Sequence, residues 1–206
     1  MKETDIKDDL ASIRNLMERS SKFISLSGLS GVLAGVYALI GAAVTYKLLN
    51  YGSIDYNEDM FVVVDSSVIR TLIAIAAAVL IASVLTGVIL SARKAKRKGQ
   101  SIWNKTSREL LFYMATPLVA GGLLMIIFIL RGYYGIVGPT SLIFYGLALV
   151  GASSFTFTAV RSLGICEIVL GLISALYPGY GLYFWAIGFG VLHIIYGSVM
   201  YLKYDR

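Results

Sequence analysis

Cysteine, histidine and charge are all scarce in this chain. Cys166 is the single cysteine and His193 the single histidine in 206 residues. No intramolecular disulfide can form. Zinc sites built from four cysteines, or from two cysteines and two histidines, are excluded by count, and bis-histidine haem ligation within one subunit is excluded too. Glycine-rich phosphate loops, paired metal-binding carboxylates and dinucleotide-binding fingerprints are also missing, so the sequence points to no cofactor and no metal. Charged residues make up only 15% of the chain, against about 25% in an ordinary soluble domain.

What is present is oil. The chain is 57% hydrophobic, with a mean hydropathy of +0.76, and its apolar residues come in uninterrupted runs. Runs of about 20 apolar residues are the signature of helices that cross a bilayer. Barrel strands would alternate every second residue, and these runs do not. The fold class expected is an all-α integral membrane protein with six transmembrane helices, at about 23–47, 68–92, 110–131, 141–159, 161–178 and 182–202. They form one domain over 23–206, preceded by a tail over 1–22. That tail is too long and too acidic for a cleaved signal, so the first span is expected to stay as an anchor.

Lysine and arginine set the expected orientation. With six spans both termini share a side, and fifteen of the 18 basic residues fall on that side. Lys47, Arg70 and Arg131 fall on the other. The positive-inside rule then places both termini in the cytoplasm of a bacterial-type inner membrane. Asp55, Glu58, Asp59 and Asp65 occupy the first outer loop. Tyr133, Tyr134, Tyr177, Tyr180, Tyr183 and Trp185 sit near outer span ends, and Trp103, Tyr201 and Tyr204 near inner ones, as an aromatic belt requires. A net charge of +6 therefore calls for no nucleic acid. Arg93, Lys94, Lys96, Arg97 and Lys98, in a basic loop near 93–108, directly follow a span and suit anionic phospholipid headgroups.

The tail carries Ile6, Leu10, Ile13, Met17 and Ile24 at helical spacing, with acidic residues early and Arg19 and Lys22 late. An amphipathic helix on the membrane surface, on the bundle or on a partner is expected. Ser27, Gly31 and Gly35 repeat every fourth residue and form a ridge that admits another helix closely, within the bundle or in a homodimer. Thr116-Pro117 is expected to bend the third span.

The chemistry gathers around "SLGICEIVLGLIS". Gly164, Glu167, Gly171 and Ser174 share one face of the fifth span. Ala186, Gly190, His193 and Gly197 share one face of the sixth. Glu167 lies thirteen residues before Tyr180 and His193 thirteen after it, so an antiparallel hairpin turning there sets them level. At 1.5 Å per residue they sit about 15 Å deep in a core about 30 Å thick. Reflection of Glu167 through an inner turn near 160–161 adds Ser153 or Ser154, with Tyr196 one turn from His193. A charge at mid-membrane costs about 2.5–3.5 kcal/mol on insertion scales, a cost relieved by pairing or protonation. A Glu167–His193 hydrogen bond, neutral or ionic, is the economical arrangement.

Three functions compete for this constellation. A buried polar clasp would fix helix pairing in a small non-enzymatic membrane protein that acts through packing or through contacts with a partner or second copy. A compact transporter or channel would use Glu167 and His193 as a proton- or ion-coupled path. An enzyme is the third: "VGASSF" in span four, with a histidine in span six, resembles the rhomboid intramembrane proteases. That resemblance implies a serine hydrolase with Ser153 or Ser154 as nucleophile and His193 as base. The chain departs from the family where Ser154 replaces the motif's second glycine and where the second span, "LIAIAAAVLIASVLTGVIL", lacks the His-and-Asn pattern.

Overall fold

The computed structural model describes residues 27–51, 66–97, 99 and 103–205. The amphipathic tail, the acidic residues Asp55, Glu58, Asp59 and Asp65, and Lys98 lie outside them. Among the described residues there is no strand, and six helices are long and apolar enough to cross a membrane. They are α1 (Gly28–Tyr51), α2 (Ser66–Arg97), α3 (Lys105–Leu130), α4 (Val137–Ala152), α5 (Thr158–Leu176) and α6, which runs from Gly181 as a composite helix. Successive helices alternate in direction. The end at which α1 begins is termed the base, the other end the top.

Span boundaries shift from their sequence positions by a few residues, and three of the shifts have a local reason. α2 continues through Arg93, Lys94, Lys96 and Arg97, because long basic side chains are good helix formers and favour a helix C-terminus. The expected loop near 93–108 is thus helical at both ends. α3 starts five residues early on a reciprocal cap. Asn104 Oδ1 accepts from the Ser107 N–H at 2.8 Å, and Ser107 Oγ accepts from the Asn104 N–H at 2.9 Å. This satisfies two otherwise orphaned donors.

The fourth span moves furthest. With its flanking 3-10 turns, Tyr134–Ile136 and Ser153–Phe155, it occupies Tyr134–Phe155 rather than 141–159. Pro139 is accommodated in the first turn of α4, where a missing N–H costs nothing. The connection to α5 is the extended Phe157, and not the "AVRS" segment. Pro117 lies inside α3 without ending it. The Tyr113 carbonyl, whose usual partner would be the N–H at 117, points at Gly151 of α4, where a Cβ would stand 3.3 Å from it.

Glycine sets the helix neighbours. α4 and α5 pack backbone to backbone: a Cβ on Gly164 would lie 2.7 Å from Gly146 O, and one on Gly171 2.7 Å from Ile143 Cγ1. α1 packs as closely on α6, where a Cβ on Gly35 would meet Gly190 O at 2.6 Å and one on Gly31 would meet Gly197 Cα at 3.2 Å. The ridge of α1 is therefore filled within the chain. Its third member is Gly28, set against Gly197 O and the Tyr201 backbone; Ser27 uses its carbonyl to accept from Ser30 Oγ at 2.6 Å.

The small-residue stripes of α5 and α6 thus do not face each other, as their matching pattern suggests. The α5 stripe belongs to α4 and the α6 stripe to α1, leaving α6 as the bridge between α1 and the α4–α5 pair. α2 lies on α1, with Gly41 against Val79 and the Tyr37 and Thr86 hydroxyls 3.3 Å apart. α3 lies on α4 through Gly121 and Phe144. Both outer helices turn large apolar side chains outward, among them Leu80, Val84, Val88, Phe112, Val119 and Leu130.

Candidate functional site

The site lies at the junction of α4, α5 and α6, where the glycines let three backbones converge. Leu149, Val160 and Leu163 form an apolar floor, flanked by Tyr145, Phe157, Leu192 and Tyr196. Above it Glu167 is fully buried and His193 is 6% exposed. Glu167 Oε1 stands 3.5 Å from His193 Nδ1, an electrostatic contact rather than a well-formed hydrogen bond.

α6 is not a regular helix here. Residues Ala186–Leu192 form a π-helical turn between the α segments Gly181–Trp185 and His193–Met200. Such widened turns are rare and gather at functional sites. This one brings Gly188 O within 3.0 Å of His193 Nδ1. It also brings Gly188 against Glu167, so that a Cβ there would lie 2.5 Å from Oε2 and 2.5 Å from Leu142 Cδ2. The acid, the imidazole and the irregular turn are one structure.

Tyr145 completes it from α4. Its hydroxyl is 2.7 Å from His193 Nε2, and its ring packs on Phe189 and His193 at centroid distances of 5.0 and 5.3 Å. The hydrogen bonds fix the protons in part. A carbonyl only accepts, so Nδ1 carries the hydrogen that Gly188 O receives. With a neutral ring, Nε2 then accepts from the Tyr145 hydroxyl. Among the described residues, neither Glu167 oxygen has a hydrogen-bond partner, and the buried Ser174 Oγ on the same face of α5 has none either.

The other sequence-selected residues fall elsewhere. Ser154 is exposed in the 3-10 turn below α4, outside the polar cluster, because that helix ends seven residues early. The inner turn near 156–157, and not 160–161, is the mirror that sets levels, and it puts Tyr145 opposite Glu167. Ser153 Oγ donates to Val150 O at 2.6 Å, and both ring nitrogens of His193 are engaged without either serine. No serine–histidine pair is assembled among the described residues. Tyr196 packs on the apolar floor. Arg93, Lys96 and Arg97 are exposed at the base, with Lys94 half-buried beside them. Among the described residues no group of three His, Cys, Asp or Glu side chains could hold a metal.

Tyr145 is the member of the site that sequence reasoning misses, although a signal exists: a tyrosine in an otherwise apolar span, at the level of Glu167 once the α4–α5 turn is correctly placed. Six long apolar helices around a closed polar centre suggest a multi-pass membrane protein. No protein-family model, curated protein or solved structure matches the chain.

Proposed function

We propose that the chain is a small multi-pass protein of a bacterial-type inner membrane that acts without catalysis, through helix packing and contacts with partners in the bilayer. Its termini are cytoplasmic. The observation that carries this reading is the closure of the polar centre: Tyr145, His193 and Glu167 engage one another across three helices, and both imidazole nitrogens are occupied without a serine. The outward apolar faces of α2 and α3 suit lipid or a partner helix. The basic residues Arg93, Lys94, Lys96, Arg97, Lys105, Arg108, Arg161 and Lys203 gather at the base, which supports the cytoplasmic assignment and contact with anionic headgroups.

Purified protein in liposomes loaded with a pH-sensitive dye tests this. The reading expects proton permeability equal to that of empty liposomes, for wild type and Glu167→Gln alike. A flux that Glu167→Gln abolishes replaces it with a proton-coupled transporter. That second reading is favoured by one observation, a buried carboxyl group whose two oxygens have no hydrogen-bond partner. Orientation is tested on a Cys166→Ser background. A membrane-impermeant maleimide added outside should label Tyr180→Cys and spare Lys105→Cys; the reverse pattern inverts the topology.

A further inference from the structure

Beyond the packing role, three features coincide at one point of α6. The π turn is widened at Ala186–Leu192. Its Gly188 carbonyl is held by a side chain, at 3.0 Å from His193 Nδ1. The same nitrogen is 3.5 Å from Glu167 Oε1, whose sister oxygen abuts Gly188 itself. The Nδ1 hydrogen thus has two acceptors at similar distances, 3.0 and 3.5 Å, and uses the backbone one.

That choice is informative. An ionised carboxylate is by far the stronger acceptor, since charge-assisted hydrogen bonds are shorter and about twice as strong as neutral ones. A fully buried carboxylate that accepts from no donor would also carry the full penalty of a buried charge. A neutral acid beside the ring accounts for its use of Gly188 O.

We propose that Glu167 is a proton-binding site coupled through His193 to the widened turn of α6. With the proton on Glu167, the Nδ1 hydrogen rests on Gly188 O and the turn stays open. When Glu167 releases its proton to bulk water or buffer, the carboxylate takes the Nδ1 hydrogen bond. Gly188 O is freed, and the backbone closes toward ordinary i to i+4 pairing. No covalent bond other than the carboxyl O–H is broken. The titratable groups facing Glu167 from the packed helices are Tyr145 on α4 and His193 on α6, with Tyr196 beyond Tyr145; among the described residues no lysine or arginine joins them. The closing turn contains Gly190, which with Gly197 is where α6 rides against α1. Proton release is therefore felt at that seam.

The sequence supplies an unusually clean probe, because Gly188-Phe189 is the single Gly-Phe pair in the chain. Labelling the full protein with [1-13C]glycine and [15N]phenylalanine in lipid nanodiscs isolates the Gly188 carbonyl in one NMR signal. The carbonyl band of the protonated acid is followed in the infrared over the same pH series. The proposal expects the Gly188 signal to move with the same midpoint at which that band disappears, and to stay at its low-pH position throughout in Glu167→Gln. Should Glu167→Gln not fold, coincidence of the two wild-type midpoints decides alone. A still Gly188 signal while the band vanishes, a band that persists at every pH the fold survives, or an unchanged transition in Glu167→Gln each overturns the proposal.

Discussion

The Tyr145 hydroxyl and His193 Nε2 lie 2.7 Å apart although 48 residues separate them in the chain. The contact ties α4 to α6, and through Glu167 to α5. Removing the hydroxyl leaves an imidazole nitrogen buried without its partner. Tyr145→Phe should destabilise the fold by about 1–3 kcal/mol, the cost of leaving a buried polar group unsatisfied. Thermal unfolding in detergent would register this as a lower midpoint. An unchanged midpoint would mean that the bond contributes nothing.

Gly188 offers a sharper comparison. A methyl group there collides with Glu167 Oε2 and Leu142 Cδ2, each at 2.5 Å, whereas one on Gly122 of α3 meets nothing within 4 Å. Gly188→Ala should cost about 1–3 kcal/mol through overpacking. Gly122→Ala should be neutral or stabilise by up to about 1 kcal/mol, as expected for replacing glycine within a helix. Melting curves of the two variants side by side give the ranking, and equal effects would contradict the packing described at Gly188.

The α1–α6 seam predicts an order along one helix. At Gly35 an added Cβ stands 2.6 Å from the Gly190 carbonyl, a backbone atom that cannot rotate away, while at Gly31 the nearest atom is Gly197 Cα at 3.2 Å. Gly35→Ala should therefore lower the yield of folded, monodisperse protein in size-exclusion chromatography more than Gly31→Ala does. The opposite order would place the closest approach elsewhere.

How far these features are legible from sequence depends on what each one rests on. Hydropathy alone marks six spans, because a run of apolar residues is a local property. The equal distances of Glu167 and His193 from Tyr180 put them at one level, and they meet in the structure. The turn between α4 and α5 is harder to place, since neither Thr156 nor Phe157 is a helix breaker and Pro139 looks like one. That single shift puts Ser154 where Tyr145 belongs in the expected cluster. The partners of the glycine stripes are equally hidden. Periodicity shows that a face is small, but which helix fills it depends on the rotation of all the others. The π turn has no signature, because it is held by side-chain and packing contacts that form only when three helices assemble.

The resemblance of "VGASSF" to a protease motif makes its own prediction. Ser153 spends its hydroxyl on Val150 O, and Ser154 faces outward. A fluorophosphonate probe that labels activated serines should leave both residues unmodified in native protein. Adduct formation on either, detected by mass spectrometry, would require a different arrangement around His193.

The most direct test uses the only imidazole in the chain. In protein labelled with [15N]histidine, the pair of ring nitrogens should give one protonated and one unprotonated resonance. The protonated one belongs to Nδ1 on Gly188 O. The other, Nε2, accepts from Tyr145 and should shift in Tyr145→Phe. Two nitrogens averaged by exchange with water, and indifferent to Tyr145→Phe, would contradict a closed Tyr145–His193–Glu167 centre.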